Sequence, residues 1–425
     1  MTENKRPSPP WPWLLFAGAA LIRLWYISQG YPVPPQDTPD YDELAHNLLA
    51  GEGFVSRQIW YGFEMRSWRA PFYPFFLALV YGLWGYSHLA VKVVQAFIGA
   101  FTAVLVYALG RRVHPEAALP AGLAATAYGP LVASANEVMT ETWFTAWVVL
   151  AAYWLVQSAS ASTWGRLPCL AGGLAIGLAA LTRPVGLLLV PAFICTVAII
   201  RPPRFLYRIA WLGLGVGLAL APWTLRNYQV HGVWMPISSH GGFILARSNA
   251  ADPDWRRPGG WGIERRIFEA MPSEVERDRY WLSQAGDFIR THPGIYLRLA
   301  GERFLRFWYF MQPGFNFWFA TLLPLALGGF YWYWRRSGFL LPSSFICISV
   351  GVFSLLLYGS TRFRLPLEPF ALLFAAAFAV EGHKRWGRRL WLAALTLVAL
   401  NGLIYWQDDR LHGLLVDLLH YLDLK

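Results

Sequence analysis

The residues best able to do chemistry in this sequence are four carboxylates, Asp37, Asp40, Asp42 and Glu43, packed into seven positions of the stretch QDTPDYDELAHNLLAGEGF (36–54). A carboxylate in a protected cavity can take a proton from a hydroxyl, or it can supply oxygen ligands to a hard cation. A second set of charges stands where charge is costly: Arg183 in LTRP, Arg362 and Arg364 in YGSTRFRLP, and Arg23 inside the first apolar run. Arginine's planar fork of donors suits a phosphate, and an ionisable group at membrane depth lines a cavity or pairs with an opposite charge. The competing explanation for each arginine is a tie to the acidic cluster or to lipid headgroups that only fastens loops together.

Thr38 and Pro39 suit a helix start, and Tyr41, Leu44, Ala45, Leu48 and Leu49 recur at helical spacing until Gly51 and Gly53. A helix lying on the membrane is therefore expected here, with Asp37 ahead of it and free to enter a cavity. Asp40, Asp42 and Glu43 fall in its first turn, where they read as caps that complement the helix dipole. Asp37 is then the candidate base. A carboxylate beside phosphate-holding arginines fits attack by an acceptor hydroxyl on the anomeric carbon of a sugar attached to a lipid phosphate. The base takes the hydroxyl proton, and the leaving phosphate, already weakly basic, needs electrostatic stabilisation more than a proton.

The elements that must position these groups are membrane spans. With 56% hydrophobic and 14% charged residues and a mean hydropathy of +0.35, the chain is too apolar for a soluble domain of its length. Apolar runs of spanning length start near Trp11, Leu89, Ala117, Thr140, Leu167, Val185, Ile209, Phe315, Phe339, Leu365 and Leu390, which predicts an all-α polytopic membrane protein of about eleven transmembrane helices. Alternate connections carry Arg111 and Arg112, Arg166, the group Arg201, Arg204 and Arg208, then Arg335 and Arg336, then Lys384, Arg385, Arg388 and Arg389. This is the positive-inside pattern for a cytoplasmic N-terminus, and it holds only if the shorter run Phe72 to Tyr86 is interfacial or re-entrant. The net charge of +11 is then topogenic, and nucleic acid is not expected as a partner.

The chain reads as one integral membrane domain over 1–425. It has interfacial helices in a first extracytoplasmic loop (30–87), a long extracytoplasmic loop (223–313) and a C-terminal surface segment (407–425). In the long loop, Trp281, Phe288, Ile289, Tyr296, Leu297, Phe304 and Trp308 suggest helices lying along the headgroups. The three cysteines lie in apolar runs and read as packing residues, and the histidines show no zinc-ligand spacing.

The acidic stretch is followed in order by RAPFYPFFLALVYGLWG, TETWF, LTRPVGLLLVP, APWTLRNY, THPGIYL and RFRLPLEPF. From Arg23 to about Phe370 this succession resembles the GT-C glycosyltransferases, in particular bacterial relatives of the protein mannosyltransferases and lipid A aminoarabinose transferases. The resemblance implies that Asp37 acts as base, with Tyr41 as its matching tyrosine. It maps a second catalytic acid to Glu141, with Glu137 one helical turn earlier and Asp40 as supporting residues. The donor phosphate would fall to Arg69, Arg183, and Arg362 or Arg364. It further implies a polyprenyl-phosphate monosaccharide donor, inversion at the anomeric carbon, and a site on the outer face of the bacterial inner membrane. The acceptor would be a hydroxyl of a glycolipid, glycan or protein, and membrane lipids are the remaining partners. No obligatory metal is expected, although Asp37 and Glu141, with Glu137 or Asp40, could offer oxygens to Mg2+ or Mn2+.

Two other function classes use similar residues. A flippase or transporter of a lipid-linked sugar would also need arginines for phosphate, but no internal duplication is visible and the charges gather at one face. A polymerase or ligase using lipid-diphosphate glycans could employ His231 or His240. Topology is testable directly: a cysteine placed in the turn SANEVMTET (134–142) should react with an impermeant thiol reagent applied to intact cells. Reaction only after lysis would reverse the orientation.

Overall fold

A computed structural model describes residues 10–31, 37–57, 63–160, 165–249, 261–308, 316–357 and 359–407. The predicted C-terminal segment lies almost wholly outside these, as does the turn-rich DPDWRRPGGWG. Helices occupy every apolar run marked in the sequence: α1 (Trp11–Ser28), α4 (His88–Val113), α5 (Ala118–Ala127), α7 (Glu141–Ser160), α8 (Arg166–Thr182), α9 (Leu189–Ile200) and α10 (Phe205–His231), then α15 (Phe317–Tyr333), α16 (Leu340–Leu355), α17 (Glu368–Trp386) and α18 (Arg388–Trp406). Between them stand α2 (Thr38–Leu49), α3 (Phe72–Trp84), the short α6 (Gly129–Ala133), and the long-loop helices α11 (Gly241–Ser248), α12 (Trp261–Ala270), α13 (Glu274–Thr291) and α14 (Pro293–Trp308).

The protein is a multi-pass membrane protein. Among the described residues, five helical stretches are long and apolar enough to cross a bilayer, by length and composition: His88–Val113, Phe205–His231, Ser337–Leu355, Thr361–Trp386 and Arg388–Trp406. Along α10 and α18, Leu206, Leu214, Leu218, Leu392, Leu395 and Leu403 face outward, as a helix does when its surroundings are lipid. The run from Ala117 is not one helix. Gly129 and Pro130 break it into α5 and α6, since proline cannot continue the ladder of the preceding turn. At the expected start of the long loop, α10 carries its helix through Trp223 to His231 and stops at Gly232, whose φ of 69° is left-handed.

Side chains from α1, α4, α5, α7, α8, α9, α16 and α17 form one continuous apolar core. Without a hydrophobic force between helices in lipid, tight backbone approach must supply the attraction. The crossing of α8 and α10 shows this: a Cβ added at Gly173 would overlap the Leu212 carbonyl, and one at Gly215 the Leu170 carbonyl. The two ends of the bundle differ in charge. At the C-terminal ends of α4 and α17, Lys384 pairs with Glu116, next to Arg111, Arg112 and Arg385. At the opposite end of α4, His88 meets Asp42 of α2 at 2.8 Å.

The long loop folds upon itself. Trp281 is fully buried against Phe243, and Phe268, Met65 and Trp68 complete a small separate core. Trp281 therefore packs inside the loop and not along headgroups, because α11 and α12 supply the partner faces, and Phe288 is buried as well. Leu297 and Phe304 of α14 do remain exposed.

Replacing Gly173 by valine should force α8 and α10 apart and destabilise the protein by ~1–3 kcal/mol. Thermal unfolding in detergent checks this, and an unchanged Tm would show that the crossing is not close-packed.

Candidate active site

Six charged side chains form an alternating line in the order Asp40, Arg69, Asp37, Arg362, Glu141, Arg183. Arg69 Nε donates to Asp40 Oδ2 (2.5 Å) and its Nη2 to Asp37 Oδ1 (3.1 Å). The other oxygen of Asp37 accepts from Arg362 Nη1 (3.2 Å), while Arg362 Nε donates to Glu141 Oε1. Arg183 Nη2 reaches that same oxygen at 2.8 Å, and its Nε donates to the Thr140 hydroxyl (2.7 Å). Three carboxylates and three guanidinium groups leave no net charge, which is the condition for holding so many ions out of water.

The line is buried at its ends and open in the middle. The side chains of Asp40 and Glu141 are 1% and 2% exposed, against 36% for Asp37 and 27% for Arg362. Arg362 Nη2 is buried and has no hydrogen-bond partner. An arriving anion would therefore meet Asp37 and Arg362 first, with a donor still to be satisfied.

The members come from five local structures, with Asp37 and Asp40 both at the start of α2. Asp37 occupies the cap position of α2, yet its carboxylate makes no cap bond and turns to the arginines. Arg69 follows an antiparallel bridge between Ser56 and Met65 (N to O distances 3.0 and 2.8 Å) that closes the loop before α3. Glu141 begins α7, on a turn held by Gln95 of α4, which donates to the carbonyls of Ala135 (3.2 Å) and Glu137 (2.6 Å). The Thr38 hydroxyl bonds the Val138 carbonyl (3.1 Å) and so joins the start of α2 to the same turn. Arg362 lies in the 3-10 turn Thr361–Leu367, just after α16. Arg303 of α14 secures the end of α16 by donating to the carbonyls of Ser354 (2.7 Å) and Leu355 (2.8 Å).

Asp37, Glu141, Arg69, Arg183 and Arg362, singled out in the sequence, are thus brought together. Asp40 joins them in a role the sequence did not suggest: it is the buried partner of Arg69 and also accepts from the Ser56 hydroxyl (2.8 Å). Nor do the next two acids of α2 cap it, since the helix begins at Thr38 and only Asp40 lies in its first turn. Asp42 accepts from Tyr81 (2.6 Å), and Glu43 from the Ser56 hydroxyl (2.8 Å) and the Arg57 amide (2.7 Å), because α2 is covered by neighbours where an isolated helix would offer only its own end. Tyr41 lies under Arg69, with the guanidinium 5.3 Å from its ring centre. Arg364 is placed elsewhere: it is committed to Glu368 (2.9 Å) and the Phe307 carbonyl (2.9 Å), over the Phe319 ring. His231 contacts the Ser67 hydroxyl (2.8 Å), and His240 stacks beside Trp68 with ring centres 4.4 Å apart.

Ionisation follows from these neighbours. Burial alone would raise the Asp37 carboxyl, but Arg69 and Arg362 outweigh it and hold Asp37 well below the usual carboxylate range. Glu137 behaves oppositely: burial, then the charge of Glu141, pushes it up to about 7. Burial, reinforced by Arg69, pushes His240 down to about 3, so its imidazole is neutral. Both Asp37 oxygens and Glu141 Oε1 face guanidinium nitrogens. Among the described residues no group of three or more His, Cys, Asp or Glu is placed to hold a metal ion.

A second cluster, not foreseen, grips the segment before Arg69. The Glu274 carboxylate of α13 accepts from the amides of Arg66 and Ser67 (3.1 Å for Ser67) and from the Ser239 hydroxyl (2.6 Å). From the other side, Arg226 Nη1 donates to the Arg66 carbonyl (2.7 Å), and the Ser67 hydroxyl donates to Asn227 Oδ1 (2.9 Å). The motif APWTLRNY contained Arg226 and Asn227. Nothing local distinguished Glu274 from the solvated charges around it in SEVERDRYW.

A family model described as dolichyl-phosphate-mannose-protein mannosyltransferase matches residues 68–225. An uncharacterized protein of Aquifex aeolicus (strain VF5) is 28% identical over 221 residues, which cover 50% of this chain and 43% of that protein. The crystal structure of an Archaeoglobus fulgidus oligosaccharyltransferase with zinc and sulfate overlays 91% of this chain on 52% of its own with a TM-score of 0.58 at 14% identity. The same archaeal enzyme, AglB, with an inhibitory peptide and a dolichol-phosphate overlays at 0.52, again at 14% identity, covering 93% and 54%. This chain spans about half the length of these relatives. Over most of its length this chain shares the fold of that archaeal oligosaccharyltransferase, and the likeness to protein mannosyltransferases read from the sequence motifs is present in the matched stretch 68–225.

If Glu274 holds the Arg66 and Ser67 amides, Glu274→Gln should cost ~1–3 kcal/mol, the penalty for unsatisfied buried donors. It should also speed hydrogen exchange at those two amides. Unaltered exchange there would show that the segment is held without Glu274.

Proposed function

We propose that the protein is an inverting glycosyltransferase that moves a monosaccharide from a polyprenyl-phosphate carrier to an acceptor hydroxyl at the extracytoplasmic face of a bacterial inner membrane. The observation that carries this reading is Asp37: the most open carboxylate of the cluster, with each oxygen on a different guanidinium. The likeness to dolichyl-phosphate-mannose-protein mannosyltransferase over 68–225, and a relative of the same fold whose structure includes dolichol-phosphate, support a lipid-phosphate donor. The basic ends of α4 and α17 support a cytoplasmic position for the opposite end of the bundle.

The chemistry follows from the geometry. The donor phosphate takes the spare Nη2 of Arg362 and competes with Asp37 for the remaining donors of Arg362 and Arg69. Asp37, released from the charges that depress its basicity, accepts the proton of the acceptor hydroxyl. The hydroxyl oxygen attacks the anomeric carbon from the face opposite the phosphate. The new C–O bond forms as the bond to the phosphate oxygen breaks, so the configuration inverts. The electron pair leaves with the polyprenyl phosphate, whose extra negative charge the arginines stabilise. Glu141 and Arg183 keep Arg362 aimed, and no step needs a metal. The acceptor is a hydroxyl of a glycolipid, glycan or protein.

The test uses purified protein in lipid vesicles with a panel of polyprenyl-phosphate hexoses and pentoses. Asp37→Asn should lower turnover ~10²–10⁴-fold while donor binding persists. Arg362→Ala should raise the donor KM by roughly tenfold or more. Normal turnover by Asp37→Asn removes it as the base, and an unchanged donor KM in Arg362→Ala removes the phosphate site.

A further inference from the structure

The C-terminal ends of α4, α15 and α17 and the start of α18 meet at the basic end of the bundle. Tyr333, the last residue of α15, contacts His114 just beyond α4 (Oη to Nε2, 3.3 Å), and Lys384 of α17 pairs with Glu116. The Trp332 ring lies 5.4 Å from that of Trp386 and 4.7 Å from the guanidinium of Arg385. A single residue, Gly387 with a φ of 53°, separates α17 from α18. Arg388 and Arg389 therefore follow directly on that contact.

The positive charge gathered here exceeds what its own carboxylates answer. Glu116 is taken by Lys384, and Glu381 by Arg385 (3.0 Å). Arg335, Arg336, Arg388 and Arg389 are exposed, and none of them makes a side-chain hydrogen bond or ion pair among the described residues. Two are nevertheless held in place: the Arg335 guanidinium lies 4.4 Å from the Trp334 ring centre, and that of Arg336 lies 4.9 Å from Tyr333. A guanidinium resting on a ring face still offers N–H donors to an anion.

The positive-inside rule explains the sign of this end but not its company. Trp334, Trp386 and Trp391 stand exposed beside the arginines, as tryptophans do at a membrane–water interface. Along α18 the exposed leucines begin at Leu392 and continue at Leu395, about one and two turns past Arg388 and Arg389. The arginines thus stand at headgroup level where the leucines enter the acyl chains. The packing of α18 is also thin, since Leu390 and Asn401 are its only buried residues.

An occupant should be anionic, offer several acceptor oxygens and carry an apolar tail alongside α18. Inorganic phosphate lacks the tail, and phosphatidylcholine brings its own cation. We propose that Arg335, Arg336, Arg388 and Arg389 form a binding site for anionic phospholipid headgroups, which tie the start of α18 to the end of α15. The site is independent of the catalytic reading.

Native mass spectrometry and thermal unfolding of the purified full chain test this, with phosphatidylglycerol, phosphatidylcholine or inorganic phosphate added at constant ionic strength. Phosphatidylglycerol should be retained in preference to phosphatidylcholine and raise Tm saturably by about 2–4 °C. Inorganic phosphate should not. Arg335→Gln with Arg336→Gln, and separately Arg388→Gln with Arg389→Gln, should each abolish the preference; if one pair does not fold, the other carries the comparison. Arg166→Gln with Arg201→Gln, which removes two charges beside α8 and α9, should leave it intact. Equal retention of the two lipids by the unmodified protein would overturn the proposal, as would an equal Tm rise with inorganic phosphate, which would assign a soluble anion. So would a preference that survives both arginine pairs, or one lost equally in the Arg166→Gln, Arg201→Gln protein, which would assign it to net charge.

Discussion

The constraint on which this structure turns is charge balance without water. Asp40, Arg69, Asp37, Arg362, Glu141 and Arg183 alternate in sign, and each inner member is shared by two neighbours. In such a setting the loss of one partner leaves another charge uncompensated, at a cost that can exceed what the intact pair contributes. The line therefore ties together the start of α2, the segment before α3, the turn before α7, the end of α8 and the turn after α16. It also creates a receptor, because arginines gathered to neutralise carboxylates are arginines that a stronger anion can claim.

The surrounding structure grades from rigid to open in keeping with that use. Buried Asp40 and Glu141 fix the outer members, and Gln95, Thr38 and Thr140 fix the backbone that carries them. Asp37 and Arg362, in the middle, keep contact with solvent. The long loop contributes through Glu274, Arg226 and Asn227, which order the backbone two or three residues ahead of Arg69, and through Arg303, which closes the end of α16 ahead of Arg362. Arg23 and Arg303 show the other use of buried arginine, in which main-chain carbonyls occupy the fork, and Arg364 is likewise committed within the protein, to Glu368 and the Phe307 carbonyl. That difference separates Arg364 from Arg362, although two residues apart they are indistinguishable by spacing.

Much of the fold was legible because its signals are local. Apolar runs mark helices, the periodicity from Tyr41 to Leu49 marks α2, and glycine and proline mark its boundaries. Asp37 stood out since it precedes a helix start in a greasy chain. Several of the misreadings were of one kind. Asp40, Asp42 and Glu43 looked like caps, and Trp281 like a headgroup anchor, because a sequence window contains only its own helix. The partners that changed those readings come from Arg69, Tyr81, Ser56 and Phe243.

The sequence by itself determined that this is a helical membrane protein with carboxylates and arginines concentrated in particular turns, since hydropathy, helical period and turn residues act over a few positions. Tertiary structure decided which of those ions meet. The bond between Arg362 and Asp37 spans 325 positions, and the choice of Arg362 over Arg364 rests on the direction in which one 3-10 turn points its side chains. Packing across the whole bundle sets that direction, and no local pattern records it.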